Sequence, residues 1–184
     1  MSRFGSRLRG TQPVGQWLRG TNVVKSVQRG TIAITGATSN TATIASVDVN
    51  NCRLKYVGST YSNVAGTVDK AAVKLVLTNS TTITANVITS PGADTCTVSY
   101  EVIEYVPGVI KSVQRGTMVG ATTATITAVN TEKSEVDWLG NTDTTGGTTS
   151  SFLSRLTLTN ATTVTSNLGV ATSVVTSYQV VEFY

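Results

Sequence analysis

The sequence predicts an all-β protein built from two tandem copies of one antiparallel, sandwich-like domain, preceded by an extended N-terminal arm. The first observation is a heptapeptide, KSVQRGT, which occurs at residues 25–31 and again at 111–117. The second is composition: Thr, Val, Ser and Ala dominate, while 6% of residues are aromatic and 13% are charged. Such residues suit strands with polar outer faces, and long windows of strong helix formers are missing.

The internal match extends well beyond the heptapeptide. Because the insertions fall between the matching blocks, where loops are expected, the pattern is typical of a duplicated folding unit. We assign the two domains to residues 23–106 and 109–184, joined at VPG (106–108), and keep one larger sandwich of two pseudo-symmetric halves as the alternative. The matching blocks are 41–58 with 123–140, 74–84 with 155–165, and 99–105 with 177–183.

Apolar residues recur at period two within each block, which predicts strands. Leu75 and Leu77 alternate with polar neighbours in the first copy, as Leu156 and Leu158 do in the second. Asn79-Ser80 and Asn160-Ala161 stand where a tight turn should join two strands. The predicted strands are 24–35, 41–49, 52–58, 72–79, 81–88 and 95–105, then 110–119, 123–131, 133–139, 152–159, 161–168 and 172–183.

The first 22 residues lie outside the repeat and predict a basic arm that docks on a partner. The phrase RGT recurs at 9–11, 19–21 and 29–31, and residues 1–31 contain no acidic residue. A large aromatic residue is poorly used in a solvated tail. Arginines without interleaved aromatic residues are a weak signal for nucleic acid, and an acidic neighbouring subunit explains them equally well. The candidate docking residues are Arg3, Arg7, Arg9, Trp17 and Arg19.

The composition argues against an enzyme. The chain has no histidine, which removes the commonest general base and metal ligand. Glu101 and Glu104 are three apart on one strand, so they face opposite sides, and we interpret them as solvated carboxylates at a strand end. Asp137 and Asp143, near the loop GNTDTTGGTT (140–149), match no calcium-binding spacing. We therefore predict no catalytic residue, no metal site and no cofactor.

The remaining candidates are cysteines and aromatic residues. Cys96 matches an apolar strand position and is expected to fill the core, although a bridge to Cys52 stays open. Tyr56 and Trp138 are equivalent in the repeat, which favours core packing. Tyr61 in the loop 59–70 and Asp143 in the loop 140–151 are the candidate glycan contacts.

No membrane insertion is expected, because no stretch approaches the ~18–20 apolar residues of a spanning helix. The N-terminal residues also lack the apolar core of a secretory signal. We therefore expect synthesis in a cytosol without a signal peptide.

The phrases VVKSVQRGTIAI, TATIASVDV, KLVLTNSTTITA and VSYEVIEY resemble segments of tailed-bacteriophage virion proteins, mainly tail-associated and fibre-type β proteins. The resemblance covers both copies. It implies a structural protein of the virion, made in the host bacterial cytoplasm. We expect a homo-oligomer that contacts other virion proteins through its arm and strand faces. The alternatives are a capsid decoration protein and a carbohydrate-binding module for host-surface glycans.

Overall fold

The computed structural model describes residues 23–63, 70–143, 154–168 and 174–184. These residues include twelve β-strands and a 3-10 turn at Thr131–Lys133. The strands of the first repeat are β1 (Val24–Thr35), β2 (Ser39–Thr43), β3 (Cys52–Tyr61), β4 (Lys74–Asn79), β5 (Thr82–Asn86) and β6 (Thr95–Tyr105). Those of the second are β7 (Ile110–Val119), β8 (Thr123–Thr125), β9 (Ser134–Asp143), β10 (Arg155–Asn160), β11 (Thr163–Asn167) and β12 (Val174–Phe183).

The strands form three antiparallel sheets, and the two repeats use the same strand order. The first repeat contains β1-β6-β3 and β2-β5-β4, and the second contains the equivalent orders β7-β12-β9 and β8-β11-β10. The sheet β2-β5-β4 continues into β9-β12-β7, so one six-stranded sheet crosses from repeat to repeat. The crossing is narrow, because β4 and β9 pair only at Lys74 and Gly140. The prediction of an all-β, antiparallel protein is confirmed.

Each repeat has its own buried apolar cluster. In the first repeat both sheets contribute, with Leu54 and Val98 from one and Leu75 and Ile83 from the other. In the second repeat the cluster includes Met118, Ile126, Val129, Val164, Tyr178 and Val180. Leu139 of β9 belongs to the cluster of the first repeat, so the second repeat helps to close the first one's core.

Two strands end earlier than the sequence predicted. The predicted strand 41–49 ends at residue 43, and 123–131 ends at residue 125. Beyond these points the N–H groups of Ile44 and Val47 donate to carbonyls of the β4–β5 turn rather than to a strand. The Gln28 side chain also bonds both the N–H and the C=O of Ala45. Gln114 bonds the N–H and the C=O of Thr127 in the second repeat. In both repeats a glutamine side chain therefore replaces the hydrogen bonds that a neighbouring strand would make.

The repeated heptapeptide is explained by buried contacts. Its lysine and serine hold the glutamate of the central strand, and its glutamine braces the segment that leaves the sheet. Its glycine lies beneath a tyrosine ring. A Cβ added at Gly30 would come 2.6 Å from the Tyr100 hydroxyl, and one at Gly116 would come 2.7 Å from that of Tyr178. Its arginine has different partners in the two copies.

The interpretation of Glu104 as a solvated strand end was wrong. Glu104 and its equivalent Glu182 are 3% and 2% exposed. Glu104 accepts hydrogen bonds from Lys25 Nζ (2.9 Å), Ser26 Oγ (3.3 Å) and the Asp48 N–H (3.0 Å). Burial alone would raise the pKa of Glu104, but these donors outweigh it and hold the pKa below its ordinary value. Glu182 has the equivalent donors Lys111, Ser112 and the Asn130 N–H.

Candidate functional site, the contact between the two repeats

The central strands of the two repeats differ in burial, and this difference reveals the most elaborate site of the molecule. In β6 buried and half-buried residues alternate strictly, so one face of the strand is open. In β12 seven consecutive residues from Thr176 to Glu182 are buried, so both faces are covered. The first repeat supplies that cover, because the edges of β3 and β4 lie against the outer face of β7-β12-β9.

Arg115, the arginine of the second heptapeptide, binds the first repeat. Its Nη1 donates to the Val49 carbonyl (2.9 Å) and its Nη2 to the Cys52 carbonyl (2.7 Å). Its Nε donates to Gln179 Oε1 at 2.9 Å. A planar guanidinium with several fixed donors suits such a cluster of acceptors. Burial lowers the pKa of Arg115 from its ordinary value.

Gln179 satisfies the unpaired edge of β3. It is fully buried, and its Oε1 accepts from the Leu54 N–H at 3.3 Å. Its Nε2 donates to the Leu54 carbonyl (3.2 Å) and to Asp137 Oδ2 (2.9 Å). A buried strand edge without partners would leave backbone groups unsatisfied at a cost of about 1–3 kcal/mol each. Gln179 therefore substitutes for a neighbouring strand at this residue.

Arg53 carries the ionic part of the contact. It forms a two-pronged pair with Asp137, at 2.7 Å from Nε and 2.5 Å from Nη2, and its Nη1 lies 2.6 Å from Glu135 Oε2. Such bidentate pairs add geometric specificity to the charge interaction. The hydrogen bond to Asp137 raises the pKa of Arg53 above its ordinary value.

Backbone and aromatic contacts complete the site. The Ser177 hydroxyl donates to the Leu75 carbonyl at 2.9 Å. Gly140 permits the close approach of β4, because a Cβ there would lie 2.0 Å from the Val73 carbonyl oxygen. The rings of Tyr56 and Trp138 meet edge to face with centroids 4.9 Å apart, an arrangement that aromatic pairs favour. The two equivalent aromatic residues thus pack against each other across the contact.

The equivalent arginine in the first repeat is exposed. Among the described residues the partner of Arg29 is Glu101 on the same sheet, at 2.5 Å, and the Arg29 side chain is 65% exposed. The same heptapeptide therefore provides a half-buried interface group in one repeat and a solvent-facing ion pair in the other.

The sequence-predicted site residues lie elsewhere or outside the described residues. Arg3, Arg7, Arg9, Trp17 and Arg19 all fall in residues 1–22, which the structure does not describe.

Tyr61 and Asp143, the candidate glycan contacts, end their respective strands. Tyr61 packs against the first apolar cluster, and its hydroxyl donates to Asp94 Oδ2 at 3.1 Å. Asp143 pairs through its backbone position with Val174. Most of the loop 140–151 and part of the loop 59–70 lie outside the described residues.

The two cysteines are buried free thiols, so no bridge joins Cys52 to Cys96. Burial raises the pKa of the Cys96 thiol to about 11, which fits an inert core residue. Among the described residues no group of three or more acidic or cysteine side chains could hold a metal ion. No helix within the same residues has the length and apolarity to cross a membrane.

Sequence reasoning missed the contact, although the repeat carried a signal for it. Most aligned positions keep their residue type, but Glu101 is replaced by Gln179, and Lys55 by Asp137. Both substitutions lie on the covered face. Differences between otherwise similar copies therefore mark where their environments differ.

The fold and this contact define an all-β protein of two similar repeats, in which strand edges of the first repeat pack on a sheet face of the second. No family model matches the chain, and no curated protein or solved structure is significantly similar to it.

Proposed function

We propose that the protein is a non-enzymatic structural component of a bacteriophage virion, tail- or fibre-associated, made in the host cytoplasm. In this proposal each repeat is a sandwich-like domain, the two domains act as one block, and the N-terminal arm docks on neighbouring subunits. The resemblance of the repeated phrases to phage tail and fibre proteins supports the virion assignment.

The observation that carries the proposal is the contact between the repeats. It combines a buried glutamine on a strand edge, a two-pronged ion pair and a half-buried arginine on backbone carbonyls. Polar groups buried with complete partners fix one relative orientation of the packed elements. A fixed block is what a particle component under mechanical load requires, whereas a swivelling pair of domains would transmit little force.

The arm supplies the second supporting feature. Residues 1–31 are basic without a single acidic residue, while the rest of the chain has more acidic than basic residues. Opposite charges on two surfaces steer association and suppress wrong partners. An arm of one subunit on the body of a neighbour, or on another virion protein, follows from this asymmetry.

Immunogold labelling of intact particles tests the location. We expect label on the tail or fibres. Label on the capsid exterior would support a decoration protein instead, and purified particles without label would refute the virion assignment. A glycan array with the full chain tests the carbohydrate-binding alternative, for which a Tyr61→Ala variant that loses binding would be required.

Deletion of residues 1–22 tests the arm. We expect the shortened protein to fold but to be incorporated into particles at least about tenfold less than the full chain. The matched control replaces Arg3, Arg7, Arg9 and Arg19 with lysine, which keeps the charge and should retain most incorporation if charge dominates. Normal incorporation of the shortened protein would remove the arm from the proposal.

A further inference from the structure

The contact inside the chain is head to tail, so it leaves a complementary face at one end and a largely unpaired edge at the other, where β9 pairs with β4 only at Gly140. The first repeat contributes the edges of β3 and β4, and the second contributes the outer face of β7-β12-β9. The equivalent face of the first repeat is β1-β6-β3, and the equivalent edges of the second are β9 and β10. Contacts of this kind generate rings or filaments when they continue between subunits.

The face of the first repeat is open where its equivalent is covered. Val57 is 58% exposed, whereas its equivalent Leu139 is 1% exposed and closed over by the first repeat. Around Leu139, Val76 and Leu77 of the first repeat complete a cavity of about 170 Å³. Around Val57 the same face forms an open depression of about 320 Å³. Five lining positions are equivalent in the two: Arg29 and Arg115, Gly30 and Gly116, Thr31 and Thr117, Val57 and Leu139, Ser99 and Ser177.

The edge of the second repeat is open in the same way. Leu75 and Leu77 of β4 are buried beside β9, whereas their equivalents Leu156 and Leu158 of β10 are only half-buried. In the described sheet β10-β11-β8, β10 is an edge strand. Leu156 and Leu158 pack against the apolar cluster of their own repeat, and the outer edge of β10 pairs with no other described strand, which makes that edge a template for another strand or sheet.

The charges on the free face and on the second repeat's edge are complementary, with signs opposite to those of the contact inside the chain. Inside the chain, Arg53 on the edge pairs with Asp137 on the face. The equivalent residues are Glu135 on the β9 edge and Lys55 on the free face. Glu135 also contacts Arg53 within the chain, yet its side chain is 53% exposed and remains accessible to a second cation. An exchange of sign at both positions preserves the attraction between edge and face. One feature is weaker, because the carboxylate of Glu101 replaces Gln179 and can accept from a strand-edge N–H but cannot donate to its carbonyl.

We propose that a second copy of this chain docks the β9–β10 edge of its second repeat on the outer face of β1-β6-β3, head to tail. The inference deepens the proposed structural function and rests on it. Glu135 of one copy meets Lys55 of the next, and Thr157 and Leu158 of β10 cover Val57, as Val76 and Leu77 cover Leu139 within the chain. The assembly grows in one direction and closes into a ring or extends as a filament.

Sedimentation of the full chain over a range of concentrations tests the docking. We expect association that Val57→Arg weakens at least about tenfold, because a charge would stand where a valine is covered. The matched control is Val119→Arg, since Val119 is 55% exposed on β7, away from both surfaces. A protein that stays monomeric at all concentrations, or a Val57→Arg protein that associates normally, would overturn the inference.

Cross-linking of mixed variants tests the head-to-tail order. Val57→Cys places a thiol on the free face, and Thr157→Cys places one on the free edge, where the equivalent Val76 lies near Leu139. With a short bis-maleimide we expect cross-linked dimers in the mixture but not in either variant alone. Cross-links within one variant alone would indicate a two-fold contact and refute the order.

Loss of association on deletion of residues 1–22, with no face-to-edge cross-link, would assign the face to the arm instead. A monomeric protein that still labels on particles would refute this inference alone and leave the proposed function standing.

Discussion

Replacement of Gln179 by glutamate tests whether the contact between the repeats depends on its hydrogen-bond donors. The substitution introduces the residue that stands at the equivalent position in the first repeat, where Glu101 faces solvent. It keeps the size of the side chain and leaves the acceptor toward the Leu54 N–H and Arg115. It removes the Nε2 donor to the Leu54 carbonyl and to Asp137.

The expected cost follows from these contacts. Two donated hydrogen bonds become oxygen–oxygen contacts. Each leaves a buried acceptor unsatisfied, which lowers the stability by about 1–3 kcal/mol. One of them also brings two carboxylates together at a fully buried position. The new charge pair with Arg115 offsets part of this loss. We therefore expect the free energy of unfolding to fall by about 2–4 kcal/mol at pH 7.

Urea denaturation followed by circular dichroism at several pH values measures the effect. Burial and the neighbouring Asp137 should raise the pKa of the introduced glutamate in the folded state. The ionised carboxylate lacks the donor, so the loss of stability relative to the parent should be complete near pH 7. Protonation restores a donor, so the loss becomes smaller in acid. It should shrink as the pH falls toward ~4.3, the unfolded value.

Glu101→Gln is the matched control, because it makes the reverse exchange on the exposed face. Loss of the exposed pair with Arg29 should change stability by no more than about 1 kcal/mol. A Gln179→Glu protein within about 0.5 kcal/mol of the parent at pH 7, or one whose deficit ignores pH, would refute this reasoning.

Two further substitutions probe separate parts of the fold. Gly140→Ala should lower the free energy of unfolding by about 3–5 kcal/mol in thermal or urea denaturation, because the added Cβ meets the Val73 carbonyl oxygen. The control is Gly58→Ala, where the added Cβ has no atom within 4 Å, so the loss should be only the ~1–3 kcal/mol of backbone strain. Equal losses would show that the close approach is unimportant. Glu182→Gln should cost about 1.5–3 kcal/mol at pH 7. The hydrogen bond from Lys111 holds the pKa of Glu182 below its ordinary value, so its stabilisation is present above that ordinary value and is lost as the pH falls through the folded pKa. The gap between variant and parent should therefore close in acid, and a constant gap would contradict the assignment.

Local pattern predicted most of the strands because period two and turn residues are local signals. The duplicated order and the antiparallel all-β class followed from the repeat. The early ends of β2 and β8 did not follow, because the residues beyond them are equally rich in β-branched types. They leave the sheet because their backbone is bonded by the Gln28 and Gln114 side chains and by the carbonyls of the β4–β5 and β10–β11 turns instead of by a strand.

Burial of the strand-end glutamates was missed for a similar reason. The environment of Glu104 is set by Lys25, which is 79 residues away in sequence. The contact between the repeats depends on partners still further apart, since Gln179 and Leu54 are separated by 125 residues. Periodicity indicates which face of a strand is apolar, but it does not indicate which other element will cover the polar face.

The order in which the strands leave the ribosome gives β12 a particular consequence. β12 is the central strand of its sheet and the cover of the first repeat's edge, yet it is the last of the twelve described strands to be translated. About 70 residues separate the end of β6 from its start, roughly 4–14 seconds of synthesis. During that interval the nascent first repeat presents the bare backbone of Leu54 to other polypeptides on the same polysome. Crowded translation at high expression should therefore favour mispairing at this edge, and slower initiation should increase the soluble yield.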